Sequence, residues 1–345
     1  MTTTSARPSP EAQHVTVVIP TCDRPADLKR CLDSLSAIDY PSWEILILDQ
    51  SCEEASRRLV GEFGQVLPKV TYRHMSSRGS ARLRNAALST IKTGIVAFLD
   101  DDCTVQPSWL HDVAAVFDRH PEAAVVFGAV RSVPHDPSRD FIPALDVTDE
   151  RSLIGRLSFL RSSGRQSACM GASMHLNLDR FHHTVPHRLH IDENTGAGAR
   201  FAGEDLDFFY RVLASGYTVV VTPSVSVLHY GARSFVTGEA QRLLWRYVFS
   251  TGAMHMKYLR CGDANALVLM AATFWKYLRM VDLRGITHGR RPTHLRFVVA
   301  YVCGLFGSFQ LGVDGRRYLY APRNYPQVLR KVRLSGEPRG RKRPR

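Results

Sequence analysis

Gly94-Ile95-Val96-Ala97-Phe98-Leu99-Asp100-Asp101-Asp102 is the stretch on which the fold turns. Ile95 to Leu99 are apolar or small without interruption, the pattern of a strand covered on both faces of a parallel sheet. Three consecutive carboxylates then end the run. Unpartnered charge inside a sheet is very costly, so the acids belong where the strand leaves it, at the carboxyl edge. Open α/β sheets hold their ligands in the crevice along that edge. Three adjacent carboxylates repel one another unless a cation lies among them. Oxygen ligands of this kind suit Mg2+ or Mn2+, ions that usually hold substrate phosphates as well. Taken alone, three aspartates read equally well as a solvated acidic turn and helix cap. The flanking sequence argues against that plainer reading.

Upstream, Val15–Ile19 is a β-branched run closed by Pro20 and followed by Thr21-Cys22-Asp23-Arg24-Pro25. This predicts a strand, a loop, and a helix with Pro25 in its first turn. Leu28, Cys31, Leu32 and Leu35 supply that helix with one apolar stripe. Glu44–Leu48 predicts a second strand, which again ends on polar residues, Asp49, Gln50 and Ser51. A helix over Glu53–Phe63 and a strand over Val70–Arg73 follow. Arg78, Gly79, Arg82 and Arg84 then form a basic turn opening the helix that carries Leu88 and Ile91. Beyond the acids, Pro107 and Trp109 start another helix and Ala123–Val130 reads as one more buried strand. Strands and helices alternating in this order predict a parallel α/β layout. Arginines beside an acid-bound cation favour a ligand with phosphates. No Gly-x-Gly-x-x-Gly follows the first strand and no Gly-x-x-x-x-Gly-Lys occurs, which argues against dinucleotide and P-loop chemistry.

The 345-residue chain is long enough for a substantial core, and 44% hydrophobic with 22% charged residues is ordinary for a globular protein. Its net charge of +13 is uneven: Arg330–Arg345 holds eight Lys or Arg and one Glu. Such a tail suits a solvated segment that touches anionic lipid or nothing specific; nucleic-acid binding would rest on it alone, without a stacking or groove-reading module. Seven scattered cysteines without a Cys-x-x-Cys pair predict reduced thiols in a cytoplasmic setting. Residues 1–13 are polar and carry no apolar signal segment, so they read as a disordered leader.

Val-Val-Ile-Pro-Thr-x-x-Arg at 17–24, the strand ending in Asp49-Gln50-Ser51, Arg84-Asn85 and Phe-Leu-Asp-Asp-Asp at 98–102 resemble family 2 glycosyltransferases of the GT-A fold. Gly171-Ala172-Ser173-Met174, Ile191-Asp192-Glu193, Gly196-Ala197-Gly198, Gly203-Glu204-Asp205-Leu206-Asp207, Pro223 and His229 continue the likeness in order. It covers roughly residues 14–232. The resemblance implies an α/β, Rossmann-like nucleotide-sugar-binding domain with a mixed sheet over 14–237, divided into a nucleotide half (14–130) and an acceptor half (131–237).

It also implies roles. Asp102 is expected to bind Mn2+ or Mg2+ directly, with His229 completing the metal site or meeting the pyrophosphate and Arg233 near it. Pro20, Thr21, Arg24, Asp49, Ser51, Arg84, Asn85, Asp100 and Asp101 are expected to line a UDP-, GDP- or dTDP-linked sugar. Gln50 stands where many members carry a second acid. Gly171, Ala172, Met174, Asp192 and Glu193 fall on the acceptor side, facing a glycan or lipid-linked hydroxyl. Asp205 is the expected general base of an inverting transfer, with Glu204 contacting the acceptor or steadying the loop. The spacing of Leu206, Phe209, Tyr210 and Leu213 predicts that these acids open a helix with one buried face. His182, His183, His187 and His190 lack zinc spacing and read as a solvated loop.

Past Gly238 the motifs stop. Arg242 and Arg246 share one helical side. Ala264–Trp275 and Phe297–Val313 are uncharged runs, shorter than the roughly 20 apolar residues a span needs and flanked by Lys276, Arg279, Arg290, Arg291 and Arg296. Residues 238–328 are thus expected to be helical and membrane-associated, peripheral or monotopic at the inner face of the cell membrane, with packing helices and a true span as alternatives. Residues 329–345 form the basic tail. A sugar-nucleotide nucleotidyltransferase would want a glycine-rich basic loop after the first strand, where this chain has Pro20-Thr21-Cys22-Asp23-Arg24. A non-catalytic sugar-binding scaffold would want an eroded acid site.

Overall fold

The structure, a computed structural model, describes residues 12–67, 69–92, 94–162, 169–181, 190–281 and 295–323. Most of the expected leader, the tail at 329–345, His182, His183, His187, Arg290 and Arg291 lie outside the described residues. The chain forms two compact units, Met1–Tyr247 and Val248–Arg345.

The first unit begins with β1 (Val15–Thr21), α1 (Pro25–Leu35), β2 (Trp43–Asp49), α2 (Ala55–Phe63), β3 (Val70–His74), α3 (Ser80–Thr90) and β4 (Ile95–Leu99). All five side chains of β4 are 0% exposed, as an uninterrupted apolar strand in a covered sheet must be. The apolar stripe of α1 is the face it buries: Leu28, Cys31, Leu32 and Leu35. Then come β5 (Cys103–Val105), α4 (Trp109–Arg119), β6 (Ala123–Ser132), β7 (Asp140–Phe141), β8 (Arg151–Ile154), α5 (Gly155–Ser162) and β9 (Ser173–Asn177). α6 (Glu204–Ala214), β10 (Thr218–His229), β11 (Arg233–Ser234) and the start of α7 (Glu239–Arg260) complete the unit.

Among the described residues nine strands form one sheet, in the order β3-β2-β1-β4-β9-β6-β10-β5, with β8 also on β10. β1 runs parallel to β2 and β4, and β2 to β3, so Thr21 stands beside Asp49. The sheet is mixed, not the all-parallel layout that the element order alone suggests. β9 enters antiparallel between β4 and β6, placing Met174 opposite both Phe98 and Phe127. Its sequence, Ser-Met-His-Leu-Asn, gives little strand signal because Ser173 and His175 are buried polar residues. His175 packs edge-on to Trp109 at 5.6 Å, and burial pushes its imidazole down to about 3, keeping it neutral.

β10 is parallel to β6, with a register shift between Thr222 and Ser226 where Pro223 interrupts the ladder. β5 turns back immediately after the acids and pairs antiparallel with β10, setting Cys103 opposite His229. This pairing places residue 229 against residue 102.

α6 departs from the expected single buried face: every residue from Asp207 to Leu213 is buried. The ring of Phe209 packs against Phe127 and Phe159, and Tyr210 against Phe159. An ion pair of 2.9 Å between Asp207 and Arg211, one turn apart, admits two charges to that interior.

In the second unit, α7 continues to Arg260, followed by α8 (Asn265–Arg279), α9 (Leu295–Gly307) and the hairpin β12 (Gly312–Asp314) and β13 (Leu319–Ala321). Gly252 and Gly304 allow α7 and α9 close approach: a Cβ on Gly304 would fall against the Phe249 carbonyl, and one on Gly252 against that of Tyr301. The uncharged run 297–313 divides into helix, a turn at Ser308–Gln310 and strand. No helix among the described residues is long and apolar enough to cross a membrane.

Candidate active site at the carboxyl edge of the sheet

The carboxyl ends of β1, β2, β4 and β10 share one edge of the sheet, and each ends on polar residues. Asp102 lies between two basic groups. Arg24 Nη1 donates to its Oδ2 at 2.8 Å, and His229 Nε2 lies 3.2 Å from its Oδ1. Burial pushes the Asp102 carboxyl up, but the hydrogen bond and charge of His229, with Arg24 and Arg233, outweigh it and hold it below the usual range. His229 Nδ1 donates to the Pro143 carbonyl at 2.8 Å, which assigns the neutral ring a bare Nε2 facing the carboxylate. Two acceptors this close need a proton or a metal ion between them.

The donor set fits a divalent ion. A carboxylate oxygen and an imidazole nitrogen with a backbone-fixed tautomer are suitable ligands, and adjacent ligands of an octahedral ion at ~2.1 Å lie about 3 Å apart. Gly231 keeps the place clear: a Cβ there would come within 2.7 Å of both Asp102 Oδ2 and His229 Nε2. Cys103 is beside the pair, but burial pushes its thiol well up, so it offers no thiolate.

The other two aspartates turn away. Asp101 accepts from the Thr21 hydroxyl at 2.7 Å and from Arg24 at 3.3 Å. Asp100 meets Arg84 Nη2 at 2.8 Å. Arg84, whose side chain is 3% exposed, reaches in the opposite direction to Glu204 at 2.7 Å. Glu204 also accepts from the Ser80 hydroxyl at 2.9 Å. Asp205 follows it at the start of α6, where Gly203 takes a left-handed conformation (φ 81°). Its Oδ2 accepts from the Gly171 amide at 2.9 Å and its Oδ1 from the Leu206 amide at 2.8 Å. Burial, and then the Glu204 charge, push the Asp205 carboxyl up to about 6 against the pull of those amides and Arg84.

Around the second strand, Asp49 is buried and holds Tyr72 Oη and the Ser51 amide at 2.7 Å each. Gln50 accepts from the Gly79 amide at 2.9 Å and donates to the Ser77 carbonyl, clamping the basic turn. Ser51 Oγ accepts from the Asp23 amide, and Pro20 precedes Thr21 in β1.

Several residues expected to meet ligand make bonds within the chain. Asn85 joins its amide to both backbone groups of Ile191, at 2.7 and 2.9 Å, and so ties α3 to the 190–193 loop. Glu193 pairs with Arg82 at 3.3 Å. Asp192 is buried and caps a turn onto Asn194. Ala172 and Met174 are core side chains, 0% and 1% exposed, with no face left for an acceptor; β9 sits mid-sheet, which the linear motif does not show. Gly171 is at the site, because a Cβ there would press within 2.9 Å of Arg84 Nη2. Sequence reasoning missed Gly231 and the 2.8 Å approach that a Cβ on Gly196 would make to the Glu204 carboxyl carbon. Their only sequence signal was glycine close to a motif acid or histidine.

A family model described as glycosyl transferase family 2 matches residues 16–163, and one described as glycosyl transferase family group 2 matches residues 95–309. The succinoglycan biosynthesis protein ExoM of Rhizobium meliloti is 27% identical over 63% of this chain and 67% of its own. A glucosyl-dolichyl phosphate glucuronosyltransferase of Haloferax volcanii is 27% identical over 34% of this chain, and the match spans only 38% of that relative's length. A mannosyltransferase structure from Pyrobaculum calidifontis shares the fold at TM-score 0.52 and 16% identity, covering 88% of this chain and 89% of the other.

Proposed function

The chain belongs to glycosyl transferase family 2, and from that premise we propose that it is a metal-dependent, inverting glycosyltransferase. It moves a sugar from a nucleotide diphosphate onto a hydroxyl of a glycan or lipid-linked acceptor. The observation that carries the reading is the pairing of Asp102 with His229 on the edge that also holds Asp205, one arginine bridging the two sides. Mn2+ or Mg2+ held by Asp102 and His229 would supply the charge that neutralises the departing diphosphate. The Pyrobaculum mannosyltransferase was solved with GDP-Man and Mn2+, which supports both donor class and metal.

The remaining work falls to the chain's own residues. Thr21 and Arg24 orient the acids, and Asp49, Ser51 and the Gln50 clamp shape the nucleotide edge. Asp205 takes the acceptor proton at one carboxylate oxygen. Its two amide bonds and its place at the helix start fix its direction, as proximity catalysis requires. With one base and no enzyme nucleophile, attack comes from the face opposite the leaving group and inverts the anomeric centre. The test is a hydrolysis screen of the purified protein with Mn2+ or Mg2+ against UDP-, GDP- and dTDP-sugars. Slow release of one nucleoside diphosphate is expected; no release from any of them, with or without metal, overturns the reading.

The succinoglycan biosynthesis relative supports a role in polysaccharide biosynthesis, which we assign to the cell envelope. We assign the protein to the inner face of the cell membrane, and the exposed side chains of the second unit support a membrane-surface location. Leu267, Val268, Phe274, Trp275 and Leu278 are exposed along α8, and Leu295, Val299 and Phe306 along α9. Each set recurs at helical spacing, and Arg279 stacks on Trp275, an arrangement suited to headgroup depth. Flotation with anionic vesicles tests this; protein remaining wholly in the unbound fraction overturns it.

A further inference from the structure

The first unit contains a cleft of about 430 Å3 lined by Arg24, Arg233, Glu239, Arg242, Leu243 and Arg246. Arg24 is neutralised by Asp101 and Asp102. The other three guanidiniums are held by main-chain carbonyls: Arg233 by Ala232 at 2.9 Å, Arg242 by Thr237 at 3.3 Å, and Arg246 by Gly196 at 3.0 Å and Ala199 at 2.7 Å. Carbonyls orient a guanidinium without cancelling its charge, and among the described residues none of the three forms an ion pair. Oriented arginine forks that outnumber the one carboxylate of the lining, Glu239, match phosphate oxygens.

The cleft has two ends. Arg24 bonds to Asp102, and the Arg233 charge acts on that same carboxyl, so this end adjoins the donor's diphosphate. Arg246 grips the loop at Gly196, the residue packed against Glu204, so the other end adjoins the base. Burial and the Asp205 and Glu204 carboxylates push the neighbouring Tyr247 phenol up, consistent with that placement. Arg242 and Arg246 are one helical turn apart and share this side. Arg24 and Arg233 lie toward Asp102, whereas Arg246, with Arg242 one turn before it, lies toward Glu204 and the base.

We propose that Arg242 and Arg246 bind a phosphate group on the acceptor, so that the acceptor is a phosphorylated sugar, free or lipid-linked. The proposal rests on the glycosyltransferase reading and specifies its substrate class.

The test uses the full chain with Mn2+ and a saturating nucleoside diphosphate, which fills the donor side, and titrates inorganic phosphate, glucose 1-phosphate and micellar farnesyl phosphate. At least one probe is expected to bind, and its affinity to fall tenfold or more in R242Q/R246Q while R242K/R246K stays within threefold. Nucleoside diphosphate affinity stays within twofold in both variants. A preference for glucose 1-phosphate marks a free sugar phosphate as the source, and one for farnesyl phosphate a lipid. Binding of no probe, or binding indifferent to R242Q/R246Q, overturns the proposal. So does a tenfold loss of nucleotide affinity with phosphate competing for it, which assigns these arginines to the donor. R242Q alone, which gives up only the bond to Thr237, is expected to lose threefold or more and serves if the double variant does not fold. Should no nucleoside diphosphate bind the wild type, the enzymatic reading fails, and the same titrations without nucleotide still score the cleft.

Discussion

Arg84 and Glu204 are 120 positions apart in the chain and 2.7 Å apart between Nη1 and Oε1. The same guanidinium holds Asp100 at 2.8 Å, so one buried cation joins the acidic edge of β4 to the first turn of α6. Removing one member of a buried ion-paired group leaves uncompensated charge, which costs about 3–5 kcal/mol. Arg84→Met is therefore expected to lower the denaturant midpoint substantially without changing the slope. An unchanged midpoint would show that the bridge carries no stability.

Asp205→Asn keeps the shape of the base and removes its basicity. Transfer should fall by about 10²–10⁴-fold, the usual contribution of a positioned base. Affinity for nucleoside diphosphate and Mn2+ should stay within twofold. Full turnover in this variant would remove Asp205 from the mechanism.

The pH profile follows from the same carboxyl. Asp205 must be ionised to accept a proton, and its environment raises it to about 6. Activity should therefore be lost as pH falls through about 6, two units above where an ordinary aspartate would cut it off. Stability moves the other way. A raised carboxyl favours its protonated form in the fold, so this group's contribution is complete below its ordinary value near 4 and is lost as pH rises through about 6. Initial rates and thermal midpoints from pH 4.5 to 8 read both limbs.

Gly231→Ala places a methyl 2.7 Å from both Asp102 Oδ2 and His229 Nε2. Its backbone needs no left-handed conformation, so the fold should tolerate the change. The expected result is a tenfold or greater rise in the Mn2+ concentration giving half-maximal activity, with the melting temperature little altered. EDTA should abolish wild-type activity and added Mn2+ restore it.

Gly304→Ala tests the close approach in the second unit, where the new methyl would meet the Phe249 carbonyl. Overpacking of this kind costs about 1–3 kcal/mol. Calorimetry should show a lower transition temperature, while Gly61→Ala, with nothing within 4 Å of its Cβ, should not.

Local chemistry made much of this protein readable in one dimension. An apolar run that stops on three acids reads as a covered strand ending at a sheet edge once the alternating strands and helices that flank it are counted, and β1, α1, β2 and β4 follow from such patterns. Burial and periodicity are properties of neighbouring residues, so Leu28, Cys31, Leu32 and Leu35 declared their shared face without help. The antiparallel entry of β9 was not declared, because a strand with buried serine and histidine has no apolar signature. Nor was the division among the acids. Asp100, Asp101 and Asp102 are chemically identical in sequence, and only the chain folding back through β5 onto β10 sets His229 and Gly231 against the third. Asn85, Ala172 and Met174 fell inside motifs and belong to loop ties and core, since a linear pattern carries no information about which side of a sheet a residue meets. Long-range pairing decides partners. Coulomb and desolvation energies, which depend on distance and burial, then turn identical carboxylates into different chemical groups.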